Sequence, residues 1–138
     1  MQKNILISNN TDNTSICEVD ENGSKFWYLN GKLHRTDGPA VDEQPNGTKY
    51  WFLNGDLHRT DGPAIEYATG SKFWYLNGEL HREDGPAVEC ADGEKLWFLN
   101  GKKITEEEHA RRTQPAKELS VAEIEKLLGY KIKIVKDS

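Results

Sequence analysis

The sequence predicts an all-β repeat array of antiparallel hairpins, about 23 residues per repeat, with a small α/β C-terminal cap. Three observations carry that expectation. Trp27, Trp51, Trp74 and Trp97 recur at intervals of 24, 23 and 23 residues, a fixed period of the kind that marks repeat architectures. Each Trp lies shortly before an Asn-Gly pair set among apolar residues, the strongest short-range hairpin signal. After Gly101 the pattern stops, and helix-start signals replace strand signals.

The recurring stretch is clearest from Phe26 to Val41, FWYLNGKLHRTDGPAV, and returns from Tyr50 to Ile65 and from Phe73 to Val88. A type I′ turn needs positive φ at both central residues, which Asn30-Gly31 tolerates. That turn sets Leu29 opposite Lys32, Tyr28 opposite Leu33, Trp27 opposite His34 and Phe26 opposite Arg35. Because side chains alternate along a strand, one face is expected to carry Trp27, Leu29, Lys32 and His34. The other is expected to carry Phe26, Tyr28, Leu33 and Arg35. Asp-Gly-Pro-Ala then predicts a bend, since proline cannot donate to a ladder. Each repeat thus reads as two strands, the second one bent, with another turn at Asn22-Gly23, Asn46-Gly47, Thr69-Gly70 and Asp92-Gly93.

These motifs resemble the MORN repeat family, which has a similar period, an aromatic opening strand and Asn-Gly-x-x-His before a small-residue bend. The resemblance covers Trp27 to Gly101 and a half-repeat before it. His-Arg-x-Asp-Gly-Pro-Ala departs from the commoner His-Gly-x-Gly and is similar to a variant found in uncharacterised phage and large-virus proteins. The resemblance implies an elongated antiparallel sheet and a non-catalytic binding or scaffolding role. It implies no particular ligand.

In chain order, Lys3–Ser8 reads as a short strand and Asn9–Ser15 as a polar loop. A half-repeat over 16–23 opens the array; full repeats over 24–47, 48–70 and 71–93 follow, with a partial repeat over 94–104, so that the array spans 1–104. The cap, 105–138, reads as helix, helix, strand. Thr105 and Glu108 form one capping-box pattern and Ser120 and Glu123 a second. Gln114-Pro115 stops the first helix, and Gly129 suits the end of the second. Val121, Ile124, Leu127 and Leu128 make an apolar stripe expected to pack on the array, or alternatively to meet a partner. Tyr130–Val135 alternates as a final strand would.

Composition sets limits. The 138 residues suffice for one domain with a small appendage, and twelve of the thirteen aromatics lie between Phe26 and Phe98. Residues 1–101 hold 9 Lys+Arg against 16 Asp+Glu, a net −7, whereas residues 102–138 hold 9 against 7, a net +2. An acidic sheet disfavours phosphate-backbone binding and suits a basic protein partner. Cys17 and Cys90 stand far apart without metal-like spacing, and there is no long apolar run or secretory h-region. A cytoplasmic address with free thiols is expected, in a host cytoplasm if the chain is viral.

The candidate binding residues are Trp27, Trp51, Trp74, His34, His58, His81, Arg35, Arg59 and Arg82. The three histidines are not expected to share a metal, because equivalent strands two apart lie roughly 9–10 Å from each other. Each is expected instead to pack on the Trp of its own hairpin and to bond nearby backbone. Asp37, Asp61 and Asp84 stand two residues after the arginines and are expected to form a structural ion-pair ladder with them. The same trio recurs in every copy, whereas a catalytic group is normally unique, so no catalytic residue, metal or cofactor is expected. Two readings of function follow. The first is a non-enzymatic module recognising a protein partner through the elongated sheet; the resemblance adds a viral inhibitor or modulator of a host protein as its setting. The second is sequestration of a nucleotide or sugar at the Trp/His/Arg face or between protomers. Against a fixed polar receptor, position 32 varies through Lys32, Asp56, Glu79 and Lys102. Two apolar faces on one thin sheet further predict a wrapped array or, preferentially, a homo-oligomer.

Overall fold

The computed structural model describes residues 4–10, 13–114 and 120–129. It is mostly antiparallel β-sheet with two short helices. The strands are β1 (Asn4–Asn10), β2 (Asn13–Val19), β3 (Lys25–Leu29), β4 (Lys32–Leu33), β5 (Val41–Asp42), β6 (Lys49–Tyr50), β7 (Phe52–Leu53), β8 (Asp56–Leu57), β9 (Ile65–Glu66), β10 (Lys72–Phe73), β11 (Tyr75–Leu76), β12 (Glu79–Leu80), β13 (Val88–Glu89), β14 (Lys95–Leu99) and β15 (Lys102–Ile104). The helices are α1 (Glu106–Thr113) and α2 (Val121–Leu128). The main sheet runs β1-β2-β3-β5-β6-β9-β10-β13-β14-β15, with β4 also on β3; β7–β8 and β11–β12 are separate two-stranded hairpins.

The register explains which residues are inside. Across the main sheet Phe26, Val41, Tyr50, Ile65, Phe73, Val88 and Leu96 stand opposite one another in succession. Val41, Ile65 and Val88 on the returning strands are buried, and the preceding Ala40, Ala64 and Ala87 are fully so. The neighbouring row, on the other side of the pleat, is Lys25, Asp42, Lys49, Glu66, Lys72, Glu89 and Lys95. Its charge alternates at every step, so each residue meets an opposite charge across the strand, the favourable pairing for an exposed sheet surface.

The Asn-Gly turns form as the sequence predicts. Asn30, Asn54, Asn77 and Asn100 have φ of 50–52°, and the glycine after each is also positive. The expected register follows, with Tyr28 opposite Leu33 and Leu29 opposite Lys32 in the first hairpin. The face assignment beyond Leu33 requires correction. β4 ends there, and the Arg35 N–H donates to the Phe52 carbonyl of the next hairpin at 3.1 Å. Strand alternation therefore does not reach Arg35, which lies on the Trp27 side.

Three further expectations change. Asn9–Ser15 is not a loop throughout: β1 extends to Asn10 and β2 begins at Asn13, with Asn10 paired to Asn13. Ladder bonding to β1, joined from Ser15 onwards by β3, outweighs the poor strand preference of Asn. In α1, the Thr105 hydroxyl accepts from the Glu108 N–H at 3.1 Å, but the Glu108 carboxylate turns to Arg111 and Arg112 instead of back to the cap. In α2 both halves of the box form between Ser120 and Glu123, and Gly129 closes the helix at φ 76°. α1 packs on β14, whereas Leu127 and Leu128 of α2 are exposed, so most of that stripe is not covered by the sheet. The expected strand at Tyr130–Val135 lies outside the described residues. No helix among the described residues is long and apolar enough to cross a membrane.

Between copies, hydroxyls not singled out in the sequence hold neighbouring turns together. Thr48 Oγ1 accepts from the Ala68 N–H at 3.1 Å, and Ser71 Oγ from the Ala91 N–H at 2.9 Å. Ser24 Oγ accepts from the Gln44 N–H at 2.8 Å. Thr48→Val keeps the shape but leaves the Ala68 N–H unpaired, which is expected to cost about 1 kcal/mol. A lowered denaturant midpoint with an unchanged slope would show it.

Candidate functional site

The conspicuous feature is a set of three Trp–Arg stacks. The guanidinium carbon of Arg35 lies 3.8 Å from the centre of the Trp27 ring, that of Arg59 3.9 Å from Trp51, and that of Arg82 3.8 Å from Trp74. Arginine, with its planar and weakly hydrated cation, is well suited to such a cover. The backbone under each stack is fixed as well: the Trp51 main-chain N–H donates to the Ala64 carbonyl at 2.7 Å, and the other two Trp residues repeat the bond.

Each guanidinium is bonded within its own copy. Arg59 Nε donates to Asp61 Oδ1 at 2.9 Å, and Arg59 Nη1 donates to the Pro63 carbonyl at 3.0 Å and to Glu66 Oε1 at 3.1 Å. Arg82 makes the same set with Asp84, Pro86 and Glu89. Arg35 bonds Asp37 and the Pro39 carbonyl. The arginines and aspartates are thus brought together as expected, but as closed clusters and not as a ladder running between copies. The glycine of Asp-Gly-Pro is accounted for by the same cluster. A Cβ at Gly62 would meet Arg59 Cζ at 2.9 Å, so the missing side chain makes room for the guanidinium.

The arginine hydrogen bond is the leading cause that holds the Asp37, Asp61 and Asp84 carboxyls below the ordinary aspartate range. A depressed carboxylate favours the folded state above its unfolded pKa, and that contribution is lost as pH falls through the lowered folded value. The effect on stability is small, because the three carboxylates are 80%, 82% and 85% exposed. Carbon-detected NMR titration should therefore show all three titrating low. In Arg82→Gln, Asp84 should return towards the ordinary range while Asp37 stays low.

The histidines work between copies. His34 Nδ1 accepts from the Asn54 N–H, His58 Nδ1 from Asn77 and His81 Nδ1 from Asn100, each at 2.9 Å. Their own backbone N–H groups donate to the Trp27, Trp51 and Trp74 carbonyls. The expected bond to nearby backbone is present, but the ring reaches the next hairpin, and Arg, not His, covers the Trp. In the last hairpin Ile104 pairs with Trp97 where the others have His. A fourth histidine, His109 on α1, is buried, and its Nε2 lies 2.5 Å from the Arg82 carbonyl. Only its place after the pattern breaks could have suggested that role.

Two consecutive grooves border these clusters. One, of about 440 Å³, lies between the 35–38 segment and Trp51, Leu53 and His58. The other, of about 660 Å³, lies between the 59–62 segment and Trp74, Leu76 and His81. Residues 59–61 border both.

Cys17 and Cys90 are free. Burial pushes both thiols up, Glu94 and Asp92 adding to the effect at Cys90. Ligand atoms of Cys90, Asp92 and Glu94 lie within 4.8 Å of one another on an exposed turn. Asp92 Oδ1 already accepts from the Glu94 N–H at 2.9 Å, the same turn bond that Asn46 makes with Thr48. Turn closure therefore accounts for this group. No protein-family model, curated protein or solved structure matches the chain.

Proposed function

We propose that the chain is a MORN-like repeat array acting as a non-enzymatic module that binds a protein partner across its grooved face. The observation that carries this reading is the recurrence of one groove at consecutive copies, each with a Trp and a Leu alongside exposed carboxylates. A surface that repeats itself suits an extended macromolecular partner more than a single small molecule or a single reacting bond. The bonding of the arginines points the same way. Nε and Nη1 of Arg59 and Arg82 are already committed to carboxylates and a proline carbonyl, and each guanidinium covers its Trp. That leaves less to offer the phosphate of a sequestered nucleotide. The half-exposed aromatics of the thin sheet keep self-association in view as a second use of the same surface, and a viral modulator of a host protein is the setting that the resemblance suggests.

Native mass spectrometry of gently purified protein, beside a denatured control, tests the reading. A chain, or a clean multiple of it, without added mass is expected. A small-molecule mass that disappears on denaturation would overturn protein recognition in favour of sequestration.

A further inference from the structure

The grooves have a spacing as well as a chemistry. Backbone bonds join each hairpin to the next: the Arg35 N–H donates to the Phe52 carbonyl, the Gly55 N–H to the Leu33 carbonyl, and the Arg59 N–H to the Tyr75 carbonyl. In the main sheet the equivalent residues Phe26, Tyr50 and Phe73 are two strands apart, with Val41 and Ile65 between them, about 9.4–9.8 Å per copy. Asp37, Asp61 and Asp84 are exposed and recur once per copy, with Thr60 and Glu83 exposed beside them. A polyproline II chain rises ~3.1 Å per residue with three residues per turn, so one of its edges recurs about every 9.3 Å. A β-strand presents the same side about every 6.7 Å and would fall out of step by the second copy.

We propose that the partner engages the grooves as a proline-rich segment in polyproline II form, with a lysine or arginine at every third residue. This deepens, and rests on, the protein-binding reading above. The cationic edge meets the carboxylates at Asp37, Asp61 and Asp84. The proline rings lie against Trp51, Leu53, Trp74 and Leu76, in the way that aromatic grooves take proline-rich ligands. A polyproline II chain leaves its carbonyls free of internal hydrogen bonds. The indole N–H groups of Trp51 and Trp74 make no hydrogen bond among the described residues and are not sealed from solvent, so they can donate to those carbonyls. In the larger groove Asp61, Glu83 and Asp84 outnumber Arg59 and Arg82, a net −1 that favours a cationic segment.

The test is fluorescence anisotropy with the full chain and three labelled dodecapeptides of equal charge. The first repeats Pro-Pro-Lys four times. The second has the same composition permuted, eight prolines in a row with two lysines at each end. The third, a flexible control, repeats Gly-Ser-Lys four times. The in-phase peptide is expected to bind at least about tenfold tighter than either control at physiological salt. Thr60→Lys, which places a cation beside Asp61 and keeps every side chain of the Arg59 cluster, is expected to weaken it about tenfold with an unchanged melting temperature. Glu83→Lys serves as a second variant in the neighbouring groove. Equal binding of the three peptides would reduce the effect to charge and overturn the inference, as would no binding at all. Selection from a random-peptide library separates the two levels. Binders that Thr60→Lys abolishes but that lack a three-residue basic spacing would overturn the polyproline geometry and leave protein recognition standing. Binders indifferent to both substitutions would remove the grooved face from either reading.

Discussion

Arg59→Ala is expected to lower the melting temperature by roughly 10 °C, corresponding to a loss of about 2–3 kcal/mol. The side chain is 20% exposed, so most of its interactions are made away from bulk water. Its removal uncovers one face of Trp51, leaves the Pro63 carbonyl without its donor, and deprives Glu66 of the cation at 3.1 Å. Hydrogen bonds involving a charged partner are worth more than neutral ones, and the stacking contact adds to them. The exposed Asp61 pair contributes little of the total. Thermal unfolding decides the role of the residue. A clear loss of stability identifies the cluster as structural, whereas lost binding with an unchanged melting temperature would make Arg59 a ligand contact. Thr60→Ala, an exposed change beside it, is the control and should melt as the parent does.

Ala64→Leu should be about as damaging, near 3 kcal/mol, for the opposite physical reason. Ala64 has no exposed surface and is bonded through both its backbone N–H and its carbonyl. Its carbonyl accepts from Trp51 at 2.7 Å, and its N–H donates to the Phe73 carbonyl at 2.8 Å. A larger side chain cannot be accommodated by moving the backbone without stretching these bonds to the strands on either side. Overpacking of this kind typically costs about 1–3 kcal/mol, and the two fixed hydrogen bonds put this site near the upper end. A denaturant melt should show the midpoint fall, while Ala91→Leu, on an exposed turn, should leave it nearly unchanged. Equal behaviour of the two variants would mean that Ala64 has room the packing does not show.

These two sites differ in how far the amino-acid sequence announces them. The Asn-Gly turns were legible because few residues accept positive φ, and one such turn dictates the pairing of everything near it. The Ser120–Glu123 box and the Gly129 cap were legible for the same local reason. The partner of each Trp was not. Alternation assigned Arg35 to the far face, but it holds only while a strand continues, and β4 ends at Leu33. The alternating charge row was present in the sequence as Lys25, Lys49, Lys72 and Lys95, with Asp42, Glu66 and Glu89 between them. Seeing it required the pairing across strands, because no two of these residues adjoin in the chain. The buried His109 and the hydroxyls of Ser24, Thr48 and Ser71 are long-range as well, each bonding backbone 20 or more residues away.

The bonds from His34 to Asn54 and from His58 to Asn77 also bear on what length the chain tolerates. Each copy gives its successor the same acceptor and receives the same donor from it. A loss of residues 48–70 would bring His34 against Asn77, with the chemistry of the junction unaltered. Excision of residues 48–70 is therefore expected to leave a chain that still folds, which a thermal melt of the shortened protein checks. Ile104, in the histidine position of the last hairpin, together with α1 behind it, ends the series whatever its length.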